Sequence, residues 1–589
     1  MSLKRYLITT ADESTWIDDR PIIFLGEWCC LYNRKHIWQG MDAIVAAPYG
    51  IHSSQKDLDY QETSRIESKI FPLLCDILNY HHGVKYDVRF WRIVLGHWFR
   101  RYIRVVLNRV RTLEQCMLNY NISGTTVFKA DSYELTTRDS HEAIFSFNDD
   151  RWNSALYARI LGLLESTTFP ITYIASVKPN CYRLISKVVK KTIKLQILNW
   201  GYNQLGRLAA VFSKNNDAFI INSYLPKTYQ MKLEIALLQM PQFWKSNTVE
   251  FTAKVNCADR IKLAAKLPKS DGDNLHNILC LLLFELLPIC YLEGFKDLAS
   301  NVEKLSWPNK PKFIFNSNNF DTDELFKMWA AKKINNGSKY IVGQHGNNYG
   351  SHRYIKSTIE EVTSDKFLTW GWQDDLQQHI PTFMLKTLGQ GKNYYDSSGG
   401  LLLIEDMLPL RLDTWDCAYE FENYFSQQKQ FVSELEHESR QNLTVRINPS
   451  YQKTPSYHSL RWRDFDSTIN INSDESKMAT LLSQNRLIVH AYDSTGLLET
   501  LSRDIPTIAF WNNGYEHLRD SAKPYYKLLY NAGIIHFTPK SAASKVNEIW
   551  DDIEGWWNAQ ETINAKNSFC DRFAKLETHP INKLLKMFK

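Results

Sequence analysis

Apolar and polar positions along this 589-residue chain alternate in two regimes. Short apolar runs bounded by capping residues or glycine predict strands, and longer stretches with apolar residues at helical spacing predict helices. Lys4–Thr9 stops at Thr-Thr-Ala-Asp-Glu-Ser and reads as a first strand; Pro21–Leu25, ended by Gly26-Glu27-Trp28, reads as a second. Helical patterns dominate from about residue 60 to 120 and from 150 to 168, with strand-like runs at Thr125–Lys129 and Ala218–Asn222. Residues 274–305 read as helical throughout. Ser306-Trp-Pro-Asn-Lys-Pro-Lys312 then breaks the pattern and marks a domain boundary, since each proline restricts itself and the residue before it.

Beyond that boundary the alternation is cleaner. Strands are expected at Phe313–Asn316, Tyr340–Gln344, Phe367–Trp370, Gly400–Ile404, Leu443–Asn448, Arg486–Ala491 and Thr507–Trp511. Helices are expected at Thr322–Asn335 and over about 415–438. The pattern predicts an α/β chain whose parallel sheet is covered on both faces, with ligands beyond the carboxyl ends of the strands. The expected units are residues 1–305, carrying helical insertions, and residues 306–589. No internal repeat or low-complexity tract is visible.

Composition adds a few exclusions. With 44% hydrophobic and 23% charged residues, the chain can bury a large core, and disorder is not expected. A net charge of +6 is too mild for a nucleic-acid binder. The one basic concentration, Arg89–Arg111, mixes arginines with tryptophan and aliphatics at helical spacing. It reads either as an amphipathic helix in peripheral contact with the inner membrane or as a core helix with arginines at its edge. The ten cysteines form no C-x-x-C pair and no zinc-like spacing, which suits a reducing compartment. The most apolar window, Ile278–Cys290, holds Glu285 and Pro288 and falls short of the roughly 20 residues of a membrane span. The N-terminal apolar run is too short for a signal peptide. A cytoplasmic protein is expected, at most at the cytoplasmic face of the inner membrane.

Candidate chemistry concentrates at strand ends. In Arg486–Trp511 a strand leads to Asp493-Ser494-Thr495-Gly496, a short helix follows, and Pro506 opens another strand. Small hydroxyl residues and glycine at such a turn expose a helix N-terminus suited to a phosphate, and Glu499 could accept from ribose hydroxyls. The plainer alternative is an N-cap with Glu499 favouring the helix start. Gln344-His345-Gly346-Asn347 ends a second run, where His345 could donate to a phosphate or take part in proton transfer; a structural histidine is the alternative. At a third end, Arg446 and Asn448 could hold a pyrophosphate or a sugar carboxylate. In the N-terminal half, Asp12 and Glu27 follow the first two strands and could supply a catalytic carboxylate; Asp149 and Asp150 read equally as a helix cap. Asp271-Gly-Asp273 precedes a helix instead of ending a strand, so no essential metal and no cofactor is expected.

Leu7-Ile-Thr-Thr-Ala-Asp-Glu-Ser-Thr-Trp16, Phe24-Leu-Gly-Glu-Trp28, Gln344-His-Gly346 and Asp493-Ser-Thr-Gly-Leu-Leu-Glu499 resemble the long transferases of bacterial O-antigen and capsule clusters. Their C-terminal halves are similar to capsule Kdo transferases. The resemblance implies a GT-B architecture: two Rossmann-like domains with the active site between them, residues 1–305 on the acceptor side and 306–589 binding the nucleotide sugar. It also implies transfer of a CMP-activated nonulosonic acid such as pseudaminic acid, with retention, onto a glycan or lipid-linked acceptor. Gln344, His345, Gly346, Asn347, Asp493, Ser494, Thr495, Gly496 and Glu499 would then hold the donor, with Glu27 or Asp12 facing the sugar. Asn448-Pro449 stands where many CMP-sugar enzymes have His-Pro. A nucleotide-sugar epimerase of the same double fold and a non-catalytic scaffold of polysaccharide assembly are the alternatives.

Overall fold

The computed structural model describes residues 3–588 apart from 18, 51, 130–132, 176–212, 243, 246–248, 391–394, 407, 409, 412–420, 450–456 and 475. Short runs such as Leu-Leu-Leu-Ile and Phe-Ile-Phe are apolar on both faces, which suits strands covered by helices on each side. They build three sheets. The N-terminal sheet comprises β1 (Arg5–Ile8), β2 (Ile22–Phe24), β3 (Ala43–Val45), β4 (Ile122–Phe128) and β5 (Ile171–Ile174), ordered β3-β2-β1-β4-β5. The middle sheet comprises β6 (Phe219–Ile220), β7 (Phe313–Asn316), β8 (Lys339–Gly343), β9 (Lys366–Thr369) and β10 (His379–Pro381), ordered β10-β9-β8-β7-β6. The C-terminal sheet comprises β11 (Gly400–Ile404), β12 (Leu443–Arg446), β13 (Asn470–Asn472), β14 (Asn485–His490), β15 (Thr507–Phe510) and β16 (Ile535–His536), ordered β13-β12-β11-β14-β15-β16. Every pairing between these strands is parallel.

The α/β class is therefore what the chain forms. The outer sheets both run 3-2-1-4-5 in local numbering, the Rossmann order, with switch points between β1 and β4 and between β11 and β14. Both outer sheets are thus Rossmann-like. The middle sheet is an addition: strands expected in a single C-terminal sheet divide between two. The expected boundary at 305/306 lies between β6 and β7, which pair through Phe219 with Ile314 and Ile220 with Phe315. The expected helix 274–305 ends at Leu286 and resumes at Phe295, with Pro288 in the break.

Four helices position the site: α1 (Ser53–His82), α2 (Val88–Asn119), α3 (Ile359–Thr363) and α4 (Thr495–Ser502). α2 carries the arginine-rich segment. Its Phe90, Trp91, Trp98, Phe99 and Tyr102 are buried in the core, and it packs against α1, α3 and the Glu324–Asn335 helix. Its arginines have protein partners: Arg89 donates to the Thr363 carbonyl, Arg100 pairs with Glu67, and Arg111 with Glu62. The apolar face a lipid surface would receive is thus occupied by protein, and residues 89–111 form a core helix instead of a membrane contact. Among the described residues, no helix is long and apolar enough to cross a membrane.

The turn after β8 depends on Gly350. Its φ is +73°, and a Cβ placed there would lie 2.3 Å from Cδ2 of the buried Trp372. Strain and overpacking together predict that Gly350→Ala loses about 2 kcal/mol or more of stability. Chemical denaturation followed by tryptophan fluorescence tests this; a midpoint equal to wild type would show that the turn relaxes.

Candidate functional site

A cavity of about 730 Å³ opens where carboxyl ends of the middle and C-terminal sheets face each other under α1 and α2. From the middle sheet it is lined by Asn318, Phe320 and Asp321 beyond β7 and by residues 345–349 beyond β8. From the C-terminal sheet come Asp406 and Leu408 beyond β11, residues 492–495 beyond β14, and residues 511–513 beyond β15. α1 contributes Ser53 and Lys56, and α2 contributes His97, Arg100, Arg101 and Arg104. Parallel strands deliver their following loops to one edge, so a site at that edge collects residues far apart in sequence.

The two central loops are bonded to each other. The Asn347 backbone N–H donates to Thr495 Oγ1 at 2.9 Å, and its side-chain amide donates to Asp493 Oδ1 at 2.7 Å. Asp493 Oδ2 lies 3.0 Å from His517 Nε2 and accepts from the Tyr526 hydroxyl at 2.9 Å. The loops also touch at Gly346, where a Cβ would lie 3.4 Å from Thr495 Oγ1, an ordinary contact distance. Asn348 and Asn513, both on the cavity wall, hold φ of +76° and +69°. Asparagine tolerates this left-handed region better than most residues, and strained backbone of this kind clusters at functional sites.

Behind His345 lies a buried polar chain. The Tyr349 hydroxyl donates to Glu360 Oε1 and sits 3.0 Å from His345 Nδ1. His97 Nε2 is 3.6 Å from Glu360 Oε2, and its Nδ1 is 4.0 Å from Asp321, which Arg101 grips through two nitrogens at 2.5 and 2.8 Å. Burial pushes His345 below its ordinary value and His97 down to about 4. Burial opposes ionisation of Glu360, but His97, His345 and the Tyr349 hydroxyl outweigh it and hold the carboxyl below the usual range. For Asp321, burial again works against the charge and Arg101 prevails.

Of the residues expected to hold the donor, His345, Gly346, Asn347, Asp493, Ser494 and Thr495 line this cavity together. Gln344 lies beneath it: its Oε1 accepts from Trp370 N and Trp372 Nε1, and its amide donates to the Gly346 carbonyl, so it shapes the turn. Ser494 caps α4 by accepting from Leu497 N at 3.0 Å, as the plainer reading had it. Gly496 is packed against His490, whose Cε1 a Cβ would meet at 2.7 Å. Glu499 stands too far into α4 for a capping box and pairs with Lys386, itself on the cavity wall.

The remaining candidates lie away from the cavity. Arg446 bonds Asn472 and the carbonyls of Asp474 and Ser476 beside β13, and Asn448 is not on the wall. Asp12 caps the turn Glu13–Thr15, accepting from Ser14 N. Glu27 accepts from Glu422 N at 3.0 Å. Near it Arg411 pairs with Asp150 and lies over Trp28, while Lys35 and Tyr32 bond Asp464. Glu27 therefore joins the N-terminal sheet to the C-terminal unit, and neither carboxylate shares a cavity with His345. Asp149 caps the Asp150–Leu163 helix, and Asp273 caps Asn274–Leu286 while pairing with Arg65.

The family model of the LIC12162 family transferases matches residues 5–588. The chain belongs to that family. No curated protein sequence matches it. Similar solved structures include the wall teichoic acid polymerase TagF, at 13% identity over 50% of this chain and 84% of that one, TM-score 0.28. WaaG, a glycosyltransferase involved in lipopolysaccharide biosynthesis, is 11% identical over 63% and 99%, TM-score 0.27. A putative UDP-N-acetylglucosamine 2-epimerase from Listeria monocytogenes is 9% identical over 63% and 95%, TM-score 0.33. TM-scores of this size do not establish a common fold.

Several wall residues of this transferase were not anticipated: Asp321, Tyr349, Glu360, Lys386, His517 and the α2 arginines. One signal was available. Asn347-Asn-Tyr-Gly350 and Asn512-Asn-Gly514 are both Asn-Asn turns after a strand, and only the first was singled out.

Two outcomes follow from this geometry. The lowered carboxyl of Asp321 stabilises the fold above about pH 4 and loses that contribution as pH falls. Asp321→Asn should start less stable near neutrality and decline less steeply in acid, as read from melting temperatures at stepped pH. Glu499→Ala breaks a partly exposed ion pair and should cost under about 1 kcal/mol by denaturant melts; a larger loss would mean that Glu499 has a core role.

Proposed function

We propose that this transferase is a GT-B-type glycosyltransferase that binds its nucleotide sugar in the cavity between the middle and C-terminal sheets and builds a surface polysaccharide. The observation that carries the reading is the bonded pair of loops, His345–Asn348 and Asp493–Thr495, at carboxyl ends of parallel strands on one cavity wall. A cavity near 730 Å³ lies within the 300–1,000 Å³ common for small-molecule sites. Its two ends differ. Toward the C-terminal sheet, Thr495 begins α4 and Lys386 stands nearby, a setting that favours a phosphate. Toward α2, the arginine cluster suits a carboxylate.

The donor best matched to both ends is a CMP-activated nonulosonic acid such as pseudaminic acid, which brings one phosphate and one carboxylate. Transfer proceeds with retention, onto a glycan or lipid-linked acceptor on the cytoplasmic side. The leaving phosphate is neutralised by the α4 N-terminus and Lys386, without an essential metal or cofactor.

Thermal shifts with CMP, UDP and GDP in parallel give the first test. A ligand at about 100 times its Kd adds roughly 2.7 kcal/mol to the native state, so CMP should raise the melting temperature most. In turnover assays His345→Ala should abolish transfer and Glu499→Ala should weaken it with the fold intact, donor consumption should require the acceptor glycan, and a chelator should change nothing. No shift with any nucleotide, or full turnover in both variants, would defeat the assignment.

A further inference from the structure

Two uses of His345 are chemically opposite: donating to a phosphate, or accepting a proton from a hydroxyl. The buried chain behind it decides between them. Tyr349 has one hydroxyl proton, and an ionised carboxylate can only accept. Tyr349 is buried among Glu360, His345 and Phe367, and its hydroxyl is held by the carboxylate. Its proton goes to Glu360 Oε1. The remaining contact, 3.0 Å between the Tyr349 oxygen and His345 Nδ1, then requires a proton from the ring. A neutral imidazole carries a single N–H, so Nε2 keeps its lone pair. Phe320, edge-on at 5.6 Å, packs against the same ring.

We propose that Glu360 and Tyr349 are positioning residues that hold His345 as its Nδ1–H tautomer, so that Nε2 accepts a proton from a substrate hydroxyl and does not bind the phosphate. This rests on the reading of the cavity as a glycosyl-transfer site. In the step, the acceptor O–H bond breaks and its proton passes to Nε2 while that oxygen bonds the anomeric carbon on the face from which the phosphate departs, as retention requires. The bond from the anomeric carbon to the phosphate oxygen breaks, and its electron pair leaves with the nucleotide. Glu360, through Tyr349, stabilises the imidazolium that results, in the way a buried carboxylate orients a catalytic imidazole. The phosphate is left to Thr495 and Lys386. The charged groups facing His345 agree with this division: Glu360 and Asp321 favour a proton on the ring, Arg101 and Lys386 oppose it, and burial keeps the resting ring neutral.

The test uses the full chain with 15N-labelled histidine, the His345 signals being assigned by their loss in His345→Asn. Wild type should show Nδ1 protonated and Nε2 unprotonated at neutral pH. Tyr349→Phe keeps the ring volume and should release the tautomer toward Nε2–H. In turnover it should lower kcat about 10- to 100-fold with little change in KM, part of what a positioned proton acceptor contributes. Glu360→Gln should lower kcat likewise and move the acid limb of the kcat profile to lower pH, because the carboxylate that favours the imidazolium is gone. An Nε2–H tautomer in wild type, or an unchanged tautomer in Tyr349→Phe, overturns the proposal. Failure of the glycosyl-transfer reading shows separately, as absent nucleotide shifts, whatever the tautomer.

Discussion

The arrangement of the site depends on one pair of hydrogen bonds, those by which Asn347 ties itself to Thr495 and Asp493. Its two loops belong to different sheets, and each follows a central strand of its own sheet. A bond between them fixes where one parallel unit sits relative to the other. Asp493 is in turn held by His517 and Tyr526, so the carboxylate is oriented from three directions. Such a carboxylate acts as a joint, and any ligand it contacts meets a group already in place, which lowers the ordering cost of binding.

The cavity is charged, and that charge has to be paid for in desolvation. Partners in the wall offset the cost: Arg101 takes Asp321, Arg100 takes Glu67, and Tyr349 takes Glu360. This explains why the arginine-rich stretch is a core helix. On one side α2 buries Trp91, Trp98 and Tyr102 in the core, and on another it brings guanidinium groups to the cavity through Arg100, Arg101 and Arg104. In one dimension that combination is indistinguishable from a membrane-surface helix, since both need apolar and basic residues at a 3.6-residue period. Only the surrounding elements show that the apolar side is already covered.

Much of the fold was legible because central parallel strands are buried on both faces and read as unbroken apolar runs. Phe313–Asn316 and Gly400–Ile404 have their expected bounds, and most of the other central strands shift by a residue or two. The strands missed, β3, β5, β10, β13 and β16, are all at sheet edges. An edge strand pairs on one side only and needs few residues; Asn470-Ile-Asn472 carries polar side chains at both ends, and β3 has no fully buried residue. Division of the later strands into two sheets was equally invisible, because each sheet satisfies the same alternation of strand and helix. Nothing in that periodicity says which strands pair.

The same limit explains the candidate site. Loops after β8 and β14 were recognisable from glycine and small polar residues at strand ends, and they do meet. The Arg446 loop has the same local character and lies elsewhere. In the C-terminal sheet the order β13-β12-β11-β14-β15-β16 changes direction between β11 and β14. Crossovers on either side of such a point leave the sheet by opposite faces, which opens a crevice at the carboxyl ends of the strands beside it. The wall of the cavity uses the loops after β11, β14 and β15 and passes over β12. Arg446, one strand beyond the switch point, turns to the β13 side and is absorbed by Asn472 and its neighbours. Being at a strand's carboxyl end thus does not by itself bring a loop to this site; which strands neighbour one another decides as well, and that is a property of pairing that no single strand carries in its residues.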